Sequence, residues 1–113
     1  MSMQMDFIVK TDNTEEIKRI AEVATKVALE AVGLQAEGYA KRLCPVDTGL
    51  LRNSITHTAD DTTAYIGTNV EYAPYVEYGT SRTKAQPFLK PAANDHVNEY
   101  KDIFEYYYRN AQG

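Results

Sequence analysis

Along the 113-residue chain, apolar positions fall first into a helical rhythm, then into an alternating one, then into a helical one again. Phe7-Ile8-Val9 is a short β-prone patch, ended by the polar run Thr11-Asp12-Asn13. Ile17, Ile20, Ala21, Ala24, Val27, Ala28, Ala31 and Val32 then recur at spacings of three and four, the stripe of one amphipathic helix. Asp12 with Glu15, or Asn13 with Glu16, offers a capping box at its start. Glu15–Arg19, Glu22–Lys26 and Glu37–Lys41 place acid before base at i,i+4, and Lys41-Arg42 suit the negative end of the helix dipole. Pro45 disfavours helix at Cys44, so the helix is predicted over residues 14–43. At 1.5 Å per residue it is about 45 Å long, against a diameter of about 34 Å for a compact chain of this size. Either it breaks near Gly33 or Gly38, which weaken its second half, or its end projects and packs on something else.

The middle of the chain reads as β-structure. Asp47-Thr48-Gly49 is a turn signature, in which Asp can bond the backbone two residues on and Gly tolerates positive φ. Leu50, Leu51 and Ile55 lead into a strand near 54–59, Asp60-Asp61-Thr62 forms a hairpin loop, and residues 64–68 return. Pro74 suits the first turn of a short helix over 73–78, closed by Gly79. A polar loop over 80–87 ends in Pro87. A last helix is predicted from Pro91 to Asn110, with Val97, Tyr100, Phe104 and Tyr107 on one face and Ile103 beside them. The predicted fold is α+β, one domain over residues 1–113: a long N-terminal helix packed on a small antiparallel sheet, a short middle helix and a C-terminal helix.

Composition narrows the function more than the fold. Apolar residues make up 43%, too many for an intrinsically disordered chain. No run of about 18 apolar residues exists to span a membrane, and residues 1–6 lack the basic and apolar regions of a signal peptide. The lone Cys44 forms no internal disulfide and cannot by itself hold a structural zinc. The net charge of −4 argues against a dedicated duplex binder. It is unevenly spread: residues 44–79 carry −4 and residues 80–91 carry +3, from Arg82, Lys84 and Lys90. An acidic body thus displays one basic segment.

Catalytic chemistry finds no signature. His57, His96, Cys44, Asp47, Asp60, Asp61, Glu71 and Glu77 are the candidate bases and ligands, yet no HExxH, CxxC or close His–carboxylate cluster joins them. His57 and Asp61 read as solvated loop residues, His96 as a surface position, and Cys44 as a small buried residue at a helix end. Ser54 lies in no nucleophile elbow, and the glycine turns match no phosphate loop. No catalytic, cofactor-binding or metal-ligating residue is predicted, and a small hydrolase ranks last among the readings. Two features carry interaction chemistry instead. Arg82, Lys84 and Lys90, with Tyr78 and Phe88 nearby, could meet about three phosphates, so a nucleic-acid-binding accessory protein is the alternative reading. Tyr72, Tyr75 and Tyr78 share one face of the short helix, and tyrosine is enriched at interfaces because it joins apolar area to a polar tip.

Three ordered blocks also carry a resemblance. Residues 44–55 (CPVDTGLLRNSI), 66–80 (IGTNVEYAPYVEYGT) and 85–92 (AQPFLKPA) resemble, in order and spacing, the motif blocks of a family of bacteriophage tail-component proteins, the neck and tail-completion proteins of long-tailed phages and prophages. Leu51 before Arg52 is a small departure, and the extreme N-terminus and the Tyr-rich end lie outside the blocks. The resemblance implies a non-enzymatic virion part forming a homo-oligomeric ring, sixfold to match the tail tube, which docks to head-connector and tail-terminator proteins. It implies no small-molecule substrate and no membrane, a place in the virion neck or tail, and the host cytoplasm during assembly. An acidic lining would let DNA pass through the ring without specific binding. Asp47, Thr48, Gly49 and Gly79 are then the turn positions of the motif, and Tyr72, Tyr75, Tyr78, Arg82, Lys84, Phe88 and Lys90 the candidate interface.

Overall fold

The computed structural model describes residues 2–6, 15–45 and 49–111, with side chains from Ile17 onward. The Phe7–Val9 patch, the cap candidates Asp12 and Asn13, and the turn residues Asp47 and Thr48 lie outside them. The chain runs through β1 (Ser2–Asp6), α1 (Glu15–Leu43), α2 (Leu50–Ser54), β2 (Thr56–Ala59), β3 (Thr63–Gly67), α3 (Ala73–Tyr78), α4 (Leu89–Asn94) and α5 (Val97–Ala111). The fold is α+β, as its pattern predicts.

α1 is continuous over 29 residues, with no break at either glycine. Gly33 is instead the point where β2 crosses the helix: a Cβ there would lie 2.9 Å from His57 Cδ2. Gly38 faces open space. An unbroken helix makes the molecule a rod of 57 × 23 × 21 Å, whose radius of gyration of 16.2 Å exceeds the value of about 13 Å for a compact chain of this size. Of the two alternatives for the long helix, projection is the outcome.

The sheet has order β1-β3-β2, all antiparallel, with Ile66 of β3 opposite Met3 on one side and His57 on the other. Asp60 shapes the β2–β3 hairpin: its Oδ1 accepts from the amides of Thr62 (2.9 Å) and Thr63 (2.8 Å), and its Oδ2 from the Tyr65 hydroxyl (3.0 Å). Two boundaries differ from expectation. The strand placed near 54–59 begins only at Thr56, because Gly49 adopts φ +80° and opens a helical turn, held by Asn53 N–H donating to Gly49 C=O at 2.9 Å. The single helix over 91–110 is two. α4 ends where Asp95 N–H bonds Pro91 C=O (2.8 Å), and the turn at Asp95-His96 lets the Tyr100 hydroxyl reach back to Ala92 C=O at 2.5 Å.

The core is built on a row of small residues. Ala21, Ala24, Ala28, Ala36 and Ala40 are buried on α1, which lets α5 and the sheet approach the helix backbone closely. Leu29, Val32, Ile55, Ile66, Phe88, Leu89 and Tyr100 fill the space between. The stripe read from the sequence therefore divides. Ala21, Ala24, Ala28 and Val32 face inward, Ala31 is half-buried, and Ile17, Ile20 and Val27 stay 40–45% exposed. On α5, Tyr100 is buried, Ile103 and Phe104 pack partly against the core, and Val97 and Tyr107 remain exposed.

Candidate functional site

The candidate interface residues gather around α3, the loop 80–87 and the start of α4. Tyr72 caps α3, and Tyr72, Tyr75 and Tyr78 point outward with 40%, 62% and 67% of their surfaces exposed. Ala73 and Glu77 occupy the buried side. α3 ends because Gly79 takes φ +78°, ψ 178°, a conformation open essentially to glycine alone. A Cβ at Gly79 would sit 2.7 Å from Ala85 N and 2.8 Å from Thr83 O, so the returning loop also needs the missing side chain.

The loop is shaped by backbone bonds. Thr80 N–H donates to Thr83 C=O and Gln86 N–H to Val76 C=O, both at 2.8 Å. The Thr80 hydroxyl accepts from the amides of Arg82 (3.2 Å) and Thr83 (3.0 Å). Arg82, Lys84 and Lys90 are exposed. Phe88 is not: it is fully buried at the mouth of α4, among the largest side chains of the core. An aromatic ring between two turns has more apolar area to bury than a six-residue helix otherwise supplies, so Phe88 anchors the loop and is no part of the exposed surface.

Glu77 joins the two helices across this loop. Its Oε1 accepts from the amides of Phe88 (3.1 Å) and Leu89 (2.8 Å), and its Oε2 from that of Lys90 (3.1 Å). A helix leaves its first four N–H groups without an internal partner. In α4 these belong to Phe88, Leu89, Lys90 and Pro91, and proline has none. One carboxylate therefore satisfies the whole helix start. The sequence holds a faint sign of this role, since Glu77 lies at the C-terminal end of α3, where the dipole favours a base.

The other polar candidates are also structural in their contacts. His57 is no solvated loop residue: on β2 its Nδ1 lies 2.8 Å from Glu37 Oε1 and its Nε2 3.1 Å from Glu30 Oε2. Both ring nitrogens face carboxylates, an arrangement satisfied in full only by the doubly protonated ring. Burial alone would lower its pKa, but the bonds to Glu37 and Glu30 outweigh this and hold it above the ordinary histidine value. Burial pushes Glu37 upward, and its bonds to His57 and Lys41 bring it net below the usual carboxylate range. Asp61 takes no part in this cluster. His96 is stacked on Tyr39, the centroids 3.7 Å apart and the rings 3° from parallel, while the Tyr39 hydroxyl donates to Glu99 at 2.5 Å. Cys44 is buried, and desolvation raises its thiol pKa, as an inert core cysteine requires. Among the described residues no three His, Cys, Asp or Glu side chains are grouped to hold a metal ion, and no helix is long and apolar enough to cross a membrane.

A further surface was only half legible in the sequence. Ile20, Val23, Val27 and Leu34 lie on the side of α1 facing away from the core, with Val23 57% and Leu34 59% exposed. Val23 and Leu34 are not among the residues of the stripe given above, although with Ile20, Val27 and Ala31 they too recur at spacings of three and four. Reading every apolar position of the helix, rather than the best single stripe, would have found them.

These features describe a small α+β fold whose buried and half-buried charges hold backbone or one another, and whose otherwise acidic surface carries apolar, aromatic and basic patches. The chain matches the family described as "Bacteriophage HK97-gp10, putative tail-component" over residues 10–79, which is 70 of its 113 residues, and it belongs to that family. The match includes α1, the hairpin, the tyrosine face of α3 and Gly79. No curated protein and no solved structure matches the chain.

Proposed function

We propose that the protein is a structural tail component of a long-tailed phage or prophage, acting by assembly and not by catalysis. In this reading it forms a ring at the head–tail junction, sixfold to match the tail tube, and docks to head-connector and tail-terminator proteins. Membership of the tail-component family carries the proposal. The geometry is consistent with it, since the partly and fully buried carboxylates of Glu37 and Glu77 are engaged in holding the fold. The exposed tip of the loop 80–87, with Arg82 and Lys84, is the docking element in this proposal. Lys90 lies at its far root. DNA passes through the ring without specific binding, and the protein works in the virion neck after assembly in the host cytoplasm.

The test is deletion of the gene from a producing phage or prophage, followed by electron microscopy. Filled heads and separate, complete tails are expected, with joining restored by the wild-type chain. Normal virions from the deletion would overturn the proposal. The exposure of Arg82, Lys84 and Lys90 keeps the nucleic-acid reading open to the same kind of test. It predicts salt-sensitive duplex binding at micromolar concentration, lost when all three residues become Ala.

A further inference from the structure

We infer that the outer stripe of α1 is one half of a contact between copies of this chain, and that the tyrosine face of α3 is the other half. The inference rests on the ring reading above and names the two surfaces that would close the ring.

The first observation is that α1 is apolar on two opposite sides. Its inner side, centred on Ala28, Val32 and Ala36, is covered by α5 and the sheet. Its outer side carries Ile20 at 40%, Val23 at 57%, Val27 at 41% and Leu34 at 59% exposure. A surface helix of a monomer keeps such a side polar. The four large aliphatic side chains Ile20, Val23, Val27 and Leu34 at this exposure leave on the order of 300 Å² of apolar surface bare, within the size of patch that marks interaction sites. A standard interface buries about 800 Å² per partner, about 60% of it non-polar, or about 480 Å². The stripe alone supplies more than half of that share.

The second observation decides what meets it. A closed ring needs two different patches on each subunit, because each contact is head-to-tail. α3 packs along neither α1 nor α5, and its three tyrosines form a second exposed apolar face on the same chain. That face is rigidly mounted: Gly79 N–H bonds Tyr75 C=O at 2.8 Å, and Glu77 ties α3 to α4. Tyrosine rings supply flat apolar area with a hydroxyl at the tip. The stripe is aliphatic and edged by the exposed carboxylate of Glu30, whose Oε2 meets His57 and whose other oxygen can accept from such a hydroxyl. Tyr106 and Tyr107 of α5 are weaker candidates, since their rings already pack edge-to-face at 5.1 Å.

The test uses two variants at exposed sites, Val23→Glu and Tyr75→Glu, with Leu34→Glu and Tyr78→Glu as second versions should either fail to fold by circular dichroism. Native mass spectrometry and light scattering read the assembly state. Wild type should be oligomeric and each variant monomeric, its self-association weakened at least about 30-fold, as for loss of one interface anchor. Mixing the two variants should yield a one-to-one pair and nothing larger, because each retains the surface the other lacks. If the Tyr75 and Tyr78 variants still oligomerise, or if the mixture stays monomeric, the pairing of these two surfaces is wrong while the ring stands. A wild type that is monomeric at every concentration removes the ring reading and the inference together.

Discussion

Replacing Glu77 by Ala removes the side chain that caps α4. Three amide N–H groups lose their acceptor, and those of Phe88 and Leu89 are buried with it. Bonds to a charged acceptor contribute about 1.5–3 kcal/mol, and an orphaned buried donor costs about 1–3 kcal/mol. Water entering the vacated space recovers part of this, so a net loss of about 3–5 kcal/mol is expected. Glu77→Gln separates the cap from the packing. The amide oxygen can still serve Phe88 and Leu89, but its NH₂ faces the Lys90 N–H, donor against donor, and a smaller loss of about 1–2 kcal/mol follows. At about 4 °C per kcal/mol for a chain of this size, the melting temperature falls by about 12–20 °C in the first variant and about 4–8 °C in the second. Urea unfolding followed by circular dichroism gives the free energies. Amide exchange should show lost protection confined at first to residues 88–90. An alanine variant within about 1 kcal/mol of wild type, or one no worse than the glutamine variant, would refute the reasoning.

Gly79→Ala combines a disallowed backbone conformation with a clash against Ala85, and should cost roughly 2–4 kcal/mol in the same unfolding assay. Gly38→Ala, in the open part of α1, should instead stabilise by about 0.5–1 kcal/mol, whereas Gly33→Ala, pressed against the His57 ring, should not show that gain. The pKa of His57 is raised, so its contribution is present below about 6.5 and is lost as pH climbs through the folded value; that of Glu37 is lowered, so its contribution fades as pH falls below about 4.5. Stability should thus peak between those limits, and His57→Gln should flatten the decline above neutrality. NMR titration of the imidazole should place its midpoint above 6.5.

Local rules reached the elements whose ends are set locally. Pro74 and Gly79 bracket α3 within the residues predicted for it, because a fixed φ at one end and a positive φ at the other depend on no distant contact. The hairpin at residues 60–62 is equally local, set by one Asp side chain. Legibility fell where a distant residue decides. Glu77 starts α4 two residues before Pro91 from eleven to thirteen positions away, and no periodicity encodes that reach. His57 and Asp61 are neighbours in sequence, yet the partners of His57 came from α1, twenty and twenty-seven residues back. Phe88 looked like part of a basic and aromatic surface because composition cannot tell an anchor from a contact. The shared outward face of the α3 tyrosines is legible, since three-residue spacing on a helix with one buried face leaves little choice.

The loop after Gly79 has a consequence for variation between related chains. Its roots are fixed by Gly79, Glu77 and the buried ring of Phe88, and its tip by Thr80 and main-chain bonds. Ser81, Arg82 and Lys84 contribute little to that framework, so changing them should alter stability by no more than about 0.5 kcal/mol. The chemistry the tip displays can therefore vary independently of whether the chain folds. If the tip docks as proposed, three exposed residues could be rewritten to suit a different partner while the frame beneath them stays intact.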